Sequence, residues 1–320
     1  MRLYRIALAA SLAIVLSTIA PSLAQQKTKL SVGLIKIAGL TSVYAAQQLG
    51  YFNEQGLDVD LTFANNGNEL LTALQSGKLD ISLAIPGVAM RAREVGYKVS
   101  LVFQNELSHG KPPDTGALLV KTDSPISSVK QLAGKKVAHS GIGTQAWAAV
   151  RYVEQKAGLD VNSVQELELG YGQMPGALQQ GLVDAIASVD PFTSAVINAK
   201  QGKVISWFYV ESVPNQPEGA FWASDDWLAK NAATARKFRI AMDKAHRYLN
   251  SHPEDAKKMV AAFTGLKPEQ VESMTPIVWN DRVNRPDWQK VSQMLIATGA
   301  LKQPVDLNAL IPAAAVNPGR

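Results

Sequence analysis

Ala73-Leu74-Gln75-Ser76-Gly77-Lys78-Leu79-Asp80 returns 104 residues later as Ala177-Leu178-Gln179-Gln180-Gly181-Leu182-Val183-Asp184, the pattern A-L-Q-x-G-x-x-D. Each copy closes a helical stretch with a glycine at its C-terminal end. Each then enters an apolar run, Ile81 to Ile85 or Ala185 to Val189, that stops just before Pro86 or Pro191. A helix feeding a short buried strand is the unit of a parallel α/β sheet. Two copies predict two α/β lobes on one plan, with a ligand held between them.

The residues on either side complete that plan. Leu30 to Ile35 reads as a first strand, Val43 to Leu49 as a helix capped by Thr41 or Ser42, and Val59 to Phe63 as an alternating strand. A helix through Gln75, the strand from Ile81 and a strand at Leu101 to Phe103 follow. Asn105 to Gly116 is polar and rich in breakers, which predicts the first crossing between lobes. The plan restarts at strand Ala117 to Lys121 and continues through a helix to Lys156 and a strand at Val164 to Leu169. Glu211 to Gly219, with two prolines, is the expected return crossing, and the remainder is mainly helical. The resulting division is residues 1–24, 25–108 with 213–320, and 109–212.

Residues 1–24 have the form of an export signal. Arg2 and Arg5 precede an uncharged apolar stretch from Ile6 to Ile19, and cleavage is expected after Ala24. Removing Arg2 and Arg5 takes the 32 Lys+Arg to 30 against 27 Asp+Glu, a formal net charge of +3. With no cysteine, disulfides, thiolate metal sites and a cysteine nucleophile are excluded. No basic block interleaved with aromatics suggests nucleic acid as a partner.

Candidate chemistry is sparse. His109, His139, His246 and His252 lack metal-ligand spacing, and His246 and His252 are expected on solvated helix faces. No nucleophile elbow or Walker loop is present, so no catalytic residue, metal or cofactor is expected. Gly141-Ile142-Gly143-Thr144-Gln145-Ala146 has the G-x-G-x-x-A layout of a dinucleotide unit, with Glu168 near the end of the next strand. That acid comes late for the motif, and a nicotinamide cofactor is scarce outside the cytoplasm, which disfavours the dinucleotide; the loop still suits a smaller anion, because free N–H groups at a helix start bind any oxyanion. The candidate ligand-binding residues therefore lie where strands end: Thr41, Ser42, Asn65, Asn66, Pro86 and Gly87 in the first lobe, and Ser140, Gly141, Gly143, Thr144 and Asp190 in the second. Asn65 and Asn66 serve equally well as turn residues, and Asp190 as a cap for the helix after Pro191. Trp147 and Trp222 are candidates for an aromatic wall, with burial in the core the competing reading.

Tyr44-Ala45-Ala46-Gln47-Gln48-Leu49-Gly50-Tyr51-Phe52, continuing through Asn53-Glu54-Gln55-Gly56-Leu57-Asp58-Val59, carries a resemblance. Together with the two octets and Leu132-Ala133-Gly134-Lys135-Lys136-Val137, it resembles the exported solute-binding proteins of ABC importers, in the nitrate, sulfonate and taurine branch. The resemblance implies a type II periplasmic binding-protein fold, α/β with two lobes and a two-segment hinge. It implies a small organic anion in the cleft and a membrane permease and ATPase as partners, for a monomer in the periplasm. A sensor or scavenger of the same fold, for an aromatic acid or a thiamine precursor, is the alternative. The same family includes pyrimidine-forming enzymes that depend on a cysteine-rich motif, and this chain has no cysteine.

Overall fold

The computed structural model describes residues 26–64 and 67–316. The proposed signal segment, Asn65 and Asn66 lie outside the described residues. Eleven strands form two sheets among them. The strands are β1 (Thr28–Leu34), β2 (Leu57–Phe63), β3 (Ile81–Ala84), β4 (Val99–Leu107), β5 (Gly116–Lys121), β6 (Lys136–His139), β7 (Gln165–Glu168), β8 (Ala185–Val189), β9 (Gly202–Ser206), β10 (Pro217–Ser224) and β11 (Val278–Trp279). The first sheet has the order β11-β4-β10-β3-β1-β2, and the second β7-β6-β8-β5-β9.

One order underlies both sheets. The second strand lies outside the first, the third lies inside it, and a strand borrowed from the crossing region separates the third from the fourth. Parallel pairing holds between β1 and both β2 and β3, and likewise between β6 and both β7 and β8. The borrowed strands run antiparallel: β10 between β3 and β4, and β5 between β8 and β9. The chain leaves the first sheet after Leu107 and returns to it at Pro217.

The repeated octets enter equivalent strands, β3 and β8. Gly77 and Gly181 both take left-handed φ, near 72° and 71°, a conformation that favours glycine and ends each helix. Leu74 and Leu178 are buried. The aspartates have a positional role. Asp80 Oδ2 accepts from the Ser31 amide and hydroxyl at 2.8 and 2.9 Å, and the Asp80 amide returns a bond to the Ser31 carbonyl. Asp184 Oδ2 accepts from the Lys136 amide at 2.8 Å, and its own amide donates to the Lys136 carbonyl. Each aspartate thus pins the entry of the third strand to the first strand of its sheet and fixes the register. The repeat is scaffold.

Two expectations change here. Residues 217–224, read in part as the return crossing, form strand β10, paired on both sides in the interior of the first sheet. Proline at its first position removes no ladder donor from the interior, so the strand is compatible with that sequence. His246 is not on a solvated face: it is 3% exposed, lies edge-on to Phe103 and pairs through Nε2 with Asn105 Oδ1. Burial lowers its pKa to about 3, so the ring is neutral. No helix among the described residues is long and apolar enough to cross a membrane.

Candidate functional site

A cleft of about 700 Å³ lies where strands of both sheets end. From the first sheet come Ile35 to Gly39 after β1, Ala84 and Ile85 after β3, and Glu106 near the end of β4. From the second come Ser140 and Thr144 after β6, Leu169 to Gln173 after β7, and Asp190 after β8. Open α/β sheets place their ligands at such carboxyl ends. Gly67 and Asn68, at the start of the helix Gly67–Gln75, also face it.

Of the residues predicted from sequence, Ser140, Thr144 and Asp190 line the cleft. Thr144 is also the cap of the helix Gln145–Lys156: its Oγ1 donates to the Gly141 carbonyl at 2.8 Å and accepts from the Trp147 amide at 3.3 Å. Asp190 both faces the cleft and ties down local backbone, Oδ1 accepting from the Ser194 amide and Oδ2 from the Thr275 amide. Burial first, then the charge of Asp114, raises its pKa to about 6, against the lowering effect of those amides.

The other predicted residues stand elsewhere. Thr41 and Ser42 are fully buried, and Ser42 donates to Asn105, the partner of His246. Pro86 and Gly87 are buried under the second sheet's helix, where the Gly87 amide donates to Gln145 Oε1. Gln145 Nε2 in turn donates to Gln216 and to the Pro217 carbonyl, so one side chain bridges both sheets. Gly141 and Gly143 shape the loop, and Gly143 lies against Arg91. The Ile142 amide, in the same loop, donates to Glu168 Oε1 at 2.6 Å. That acid closes the dinucleotide reading, because it occupies the loop's N–H with its own charge. Trp222 is fully buried, donates Nε1 to the Ala84 carbonyl and meets Trp288 edge-on, which removes it from any cleft wall. Trp147 is buried as well, with Nε1 on Glu166.

Sequence reading missed the floor, and of the aromatic wall it reached only Tyr171, as part of the strand-end loop Gly170-Tyr171-Gly172. The wall is Tyr171 stacked on Phe192, with Tyr209 beside them. The floor is Glu106, whose carboxyl lies against the α-carbons of Gly39 and Gly219, where any Cβ would collide with it. Gly39 is held there because its carbonyl accepts from both Asn105 Nδ2 and Trp279 Nε1. Glu218 is the extra residue of a β-bulge: Pro217 pairs with Leu107 and Gly219 with Glu106, two steps against one. Bulges re-aim side chains beside functional sites, and here the bulge delivers a second carboxyl to the same floor. Burial, then Asp114, raises Glu106 from 4.5 to about 7. Burial, then Asp114 and Glu106, pushes Glu218 well above the usual carboxylate range.

Such a cleft between two like sheets, with two crossing segments beneath it, defines the periplasmic binding-protein fold. The chain belongs to the family described as "NMT1/THI5 like", which matches residues 38–256. It is 22% identical over 286 residues to a formylaminopyrimidine-binding protein of Halalkalibacterium halodurans, covering 83% of each chain. It is 24% identical over 238 residues to a 4-amino-5-hydroxymethyl-2-methylpyrimidine phosphate synthase of Saccharomyces cerevisiae, covering 71% of this chain and 67% of that one. Among solved structures it superposes on the alkanesulfonate-binding protein SsuA of Xanthomonas axonopodis pv. citri, bound to MOPS. That match has a TM-score of 0.75 at 21% identity and covers 90% of this chain and 99% of that one.

Proposed function

We propose that this protein is the extracytoplasmic solute-binding component of an ABC-type importer, and that it captures a small organic acid of the sulfonate or taurine type and performs no turnover. The observation that carries this is the cleft itself, lined from both sheets and spanned beneath by two crossing segments. A ligand that touches both walls stabilises the closed arrangement by its differential contacts. The likeness to an alkanesulfonate-binding structure supports the ligand class. So do Ser140 and Thr144, the helix start at Gly67 and Asn68, and the exposed Lys36, all facing the cleft.

In this reading residues 1–24 direct export, the mature monomer works in the periplasm, and its partners are a permease and an ATPase. Residues 25–108 with 213–320 move as one lobe and 109–212 as the other, hinged in the segments between β4 and β5, 108–115, and ahead of β10, 213–216. Solution scattering gives a smaller radius of gyration with saturating ligand than without it; superimposable profiles would remove cleft closure. A thermal-shift screen over sulfonates, taurine, nitrate, aromatic acids and thiamine precursors identifies the ligand, because binding to the folded state raises apparent stability with concentration. For that ligand, alanine at Ser140 and Thr144 weakens binding by about 1–3 kcal/mol. Unchanged affinity would take the loop out of the site, and product beyond one equivalent would replace binding by catalysis.

A further inference from the structure

We propose that Glu106 and Glu218 form a subsite for a protonated nitrogen, an ammonium or amidinium group carried by the solute, so that the protein selects a zwitterionic organic acid over a plain anion. This rests on the solute-binding reading above and adds the charge of the ligand's inner end.

The geometry comes first. Both residues line the cleft while each is only 8% exposed. Glu218 Oε2 accepts from Thr115 Oγ1 at 3.1 Å, whereas its Oε1 is buried and has no hydrogen-bond partner. Acceptors held this way are completed by a donor that arrives with the ligand, since an unpaired buried acceptor is costly. Two glycines, Gly39 and Gly219, leave the space into which the Glu106 carboxyl fits.

Charge points the same way. Among the described residues, the charged ones lining the cleft are Glu106, Glu168, Asp190 and Glu218 against Lys36. Lys36 is exposed and sits over the Phe63 ring at 5.5 Å from its centroid, so it does not neutralise the floor. Asp114 adds a further buried carboxyl behind it, with Oδ2 unpartnered. An anion alone in this floor gains no counter-charge, and burial holds these carboxyls toward their protonated form; a protonated nitrogen favours their ionised form and meets opposite charge there. The stacked Tyr171 and Phe192, with Tyr209, line the cleft with aromatic surface, which suits a cation or a flat ligand. A metal ion is the poorer occupant: no group of three or more His, Cys, Asp or Glu among the described residues is placed to hold one.

The test uses matched probes in calorimetric titration near pH 7.5 on the mature protein. The pairs are taurine with isethionate, 3-aminopropanesulfonate with propanesulfonate, and benzamidine with benzamide; within each pair only the first member is cationic at nitrogen. The wild type binds the cationic member of at least one pair about tenfold or more tighter. Glu218→Gln and Glu106→Gln each reduce that preference, and the double variant, its fold checked by its unfolding transition, abolishes it. Preference for the members without a cationic nitrogen, or a cation preference kept by the folded double variant, overturns the subsite while leaving the binding reading intact. Binding of none of the six at millimolar concentration overturns the organic-solute reading beneath it.

Discussion

Glu106→Gln stabilises the unliganded protein by about 3 kcal/mol at pH 8 and changes it little at pH 4. The carboxyl is buried on β4 and titrates near 7 in the folded chain, against 4.5 in the open one. A carboxylate whose folded pKa is raised gives full stability below its unfolded value, and that stability is lost as pH climbs through the folded value. The loss therefore opens near pH 4.5 and is complete somewhat above pH 7. Glutamine keeps the shape of the protonated acid and never acquires the charge. The groups facing it do not offset the load: Asp114 and Glu218 are acids whose own pKa values are raised by burial. Urea unfolding of both proteins at several pH values checks this. The curves of wild type and variant converge at low pH and separate on the alkaline side, with the variant higher. Parallel curves would mean that Glu106 carries no ionisable load in the folded state. A ligand with a protonated nitrogen narrows the gap, because it supplies the missing counter-charge to Glu106 in the wild type and binds the variant less tightly.

The octets disclosed the architecture because every position in them acts locally. A glycine that ends a helix, leucines that pack below it and an aspartate that accepts from the neighbouring strand's amide are all set within one unit. The same unit in the other half had to look the same. The cleft floor had no such signal. Glu106 follows Val102-Phe103-Gln104-Asn105, where an apolar run turns polar and reads as the start of a crossing. Glu218 sits between Pro217 and Gly219 in a segment that reads as the other crossing. Their shared role arises only when β10 pairs with β4 and a bulge shifts the register by one residue. That is a tertiary event between distant segments, and neither period nor motif records it. The glycine-rich loop was legible only in part: Ser140 and Thr144 line the cleft, whereas its Ile142 N–H is filled by Glu168 from the adjacent strand, a pairing the spacing does not record.

Trp222→Ala costs about 3–5 kcal/mol of stability, the range for truncating a large buried aromatic, and leaves ligand affinity nearly unchanged in the fraction that folds. Trp222 lies on β10, fully buried between β3 and β4, with its indole N–H on the Ala84 carbonyl at 2.8 Å. Its ring meets Trp288 at 5.8 Å and 70°, an edge-to-face contact that carries the helix Arg285–Ala297 onto the sheet. Removing it opens a cavity in the core and strands one carbonyl. Trp222→Phe loses less than Trp222→Ala, since a six-membered ring stays in the core while the hydrogen bond, worth about 1–3 kcal/mol, and the fused ring go. Chemical unfolding of both variants reads the stability, and titration well below their unfolding midpoints reads the affinity. A residue that formed the aromatic wall of the cleft would behave the opposite way, with affinity collapsing and stability hardly moving. That opposite pattern is expected of Tyr171 and Phe192, half-buried and stacked on each other at the cleft edge, where the aromatic surface for the ligand stands.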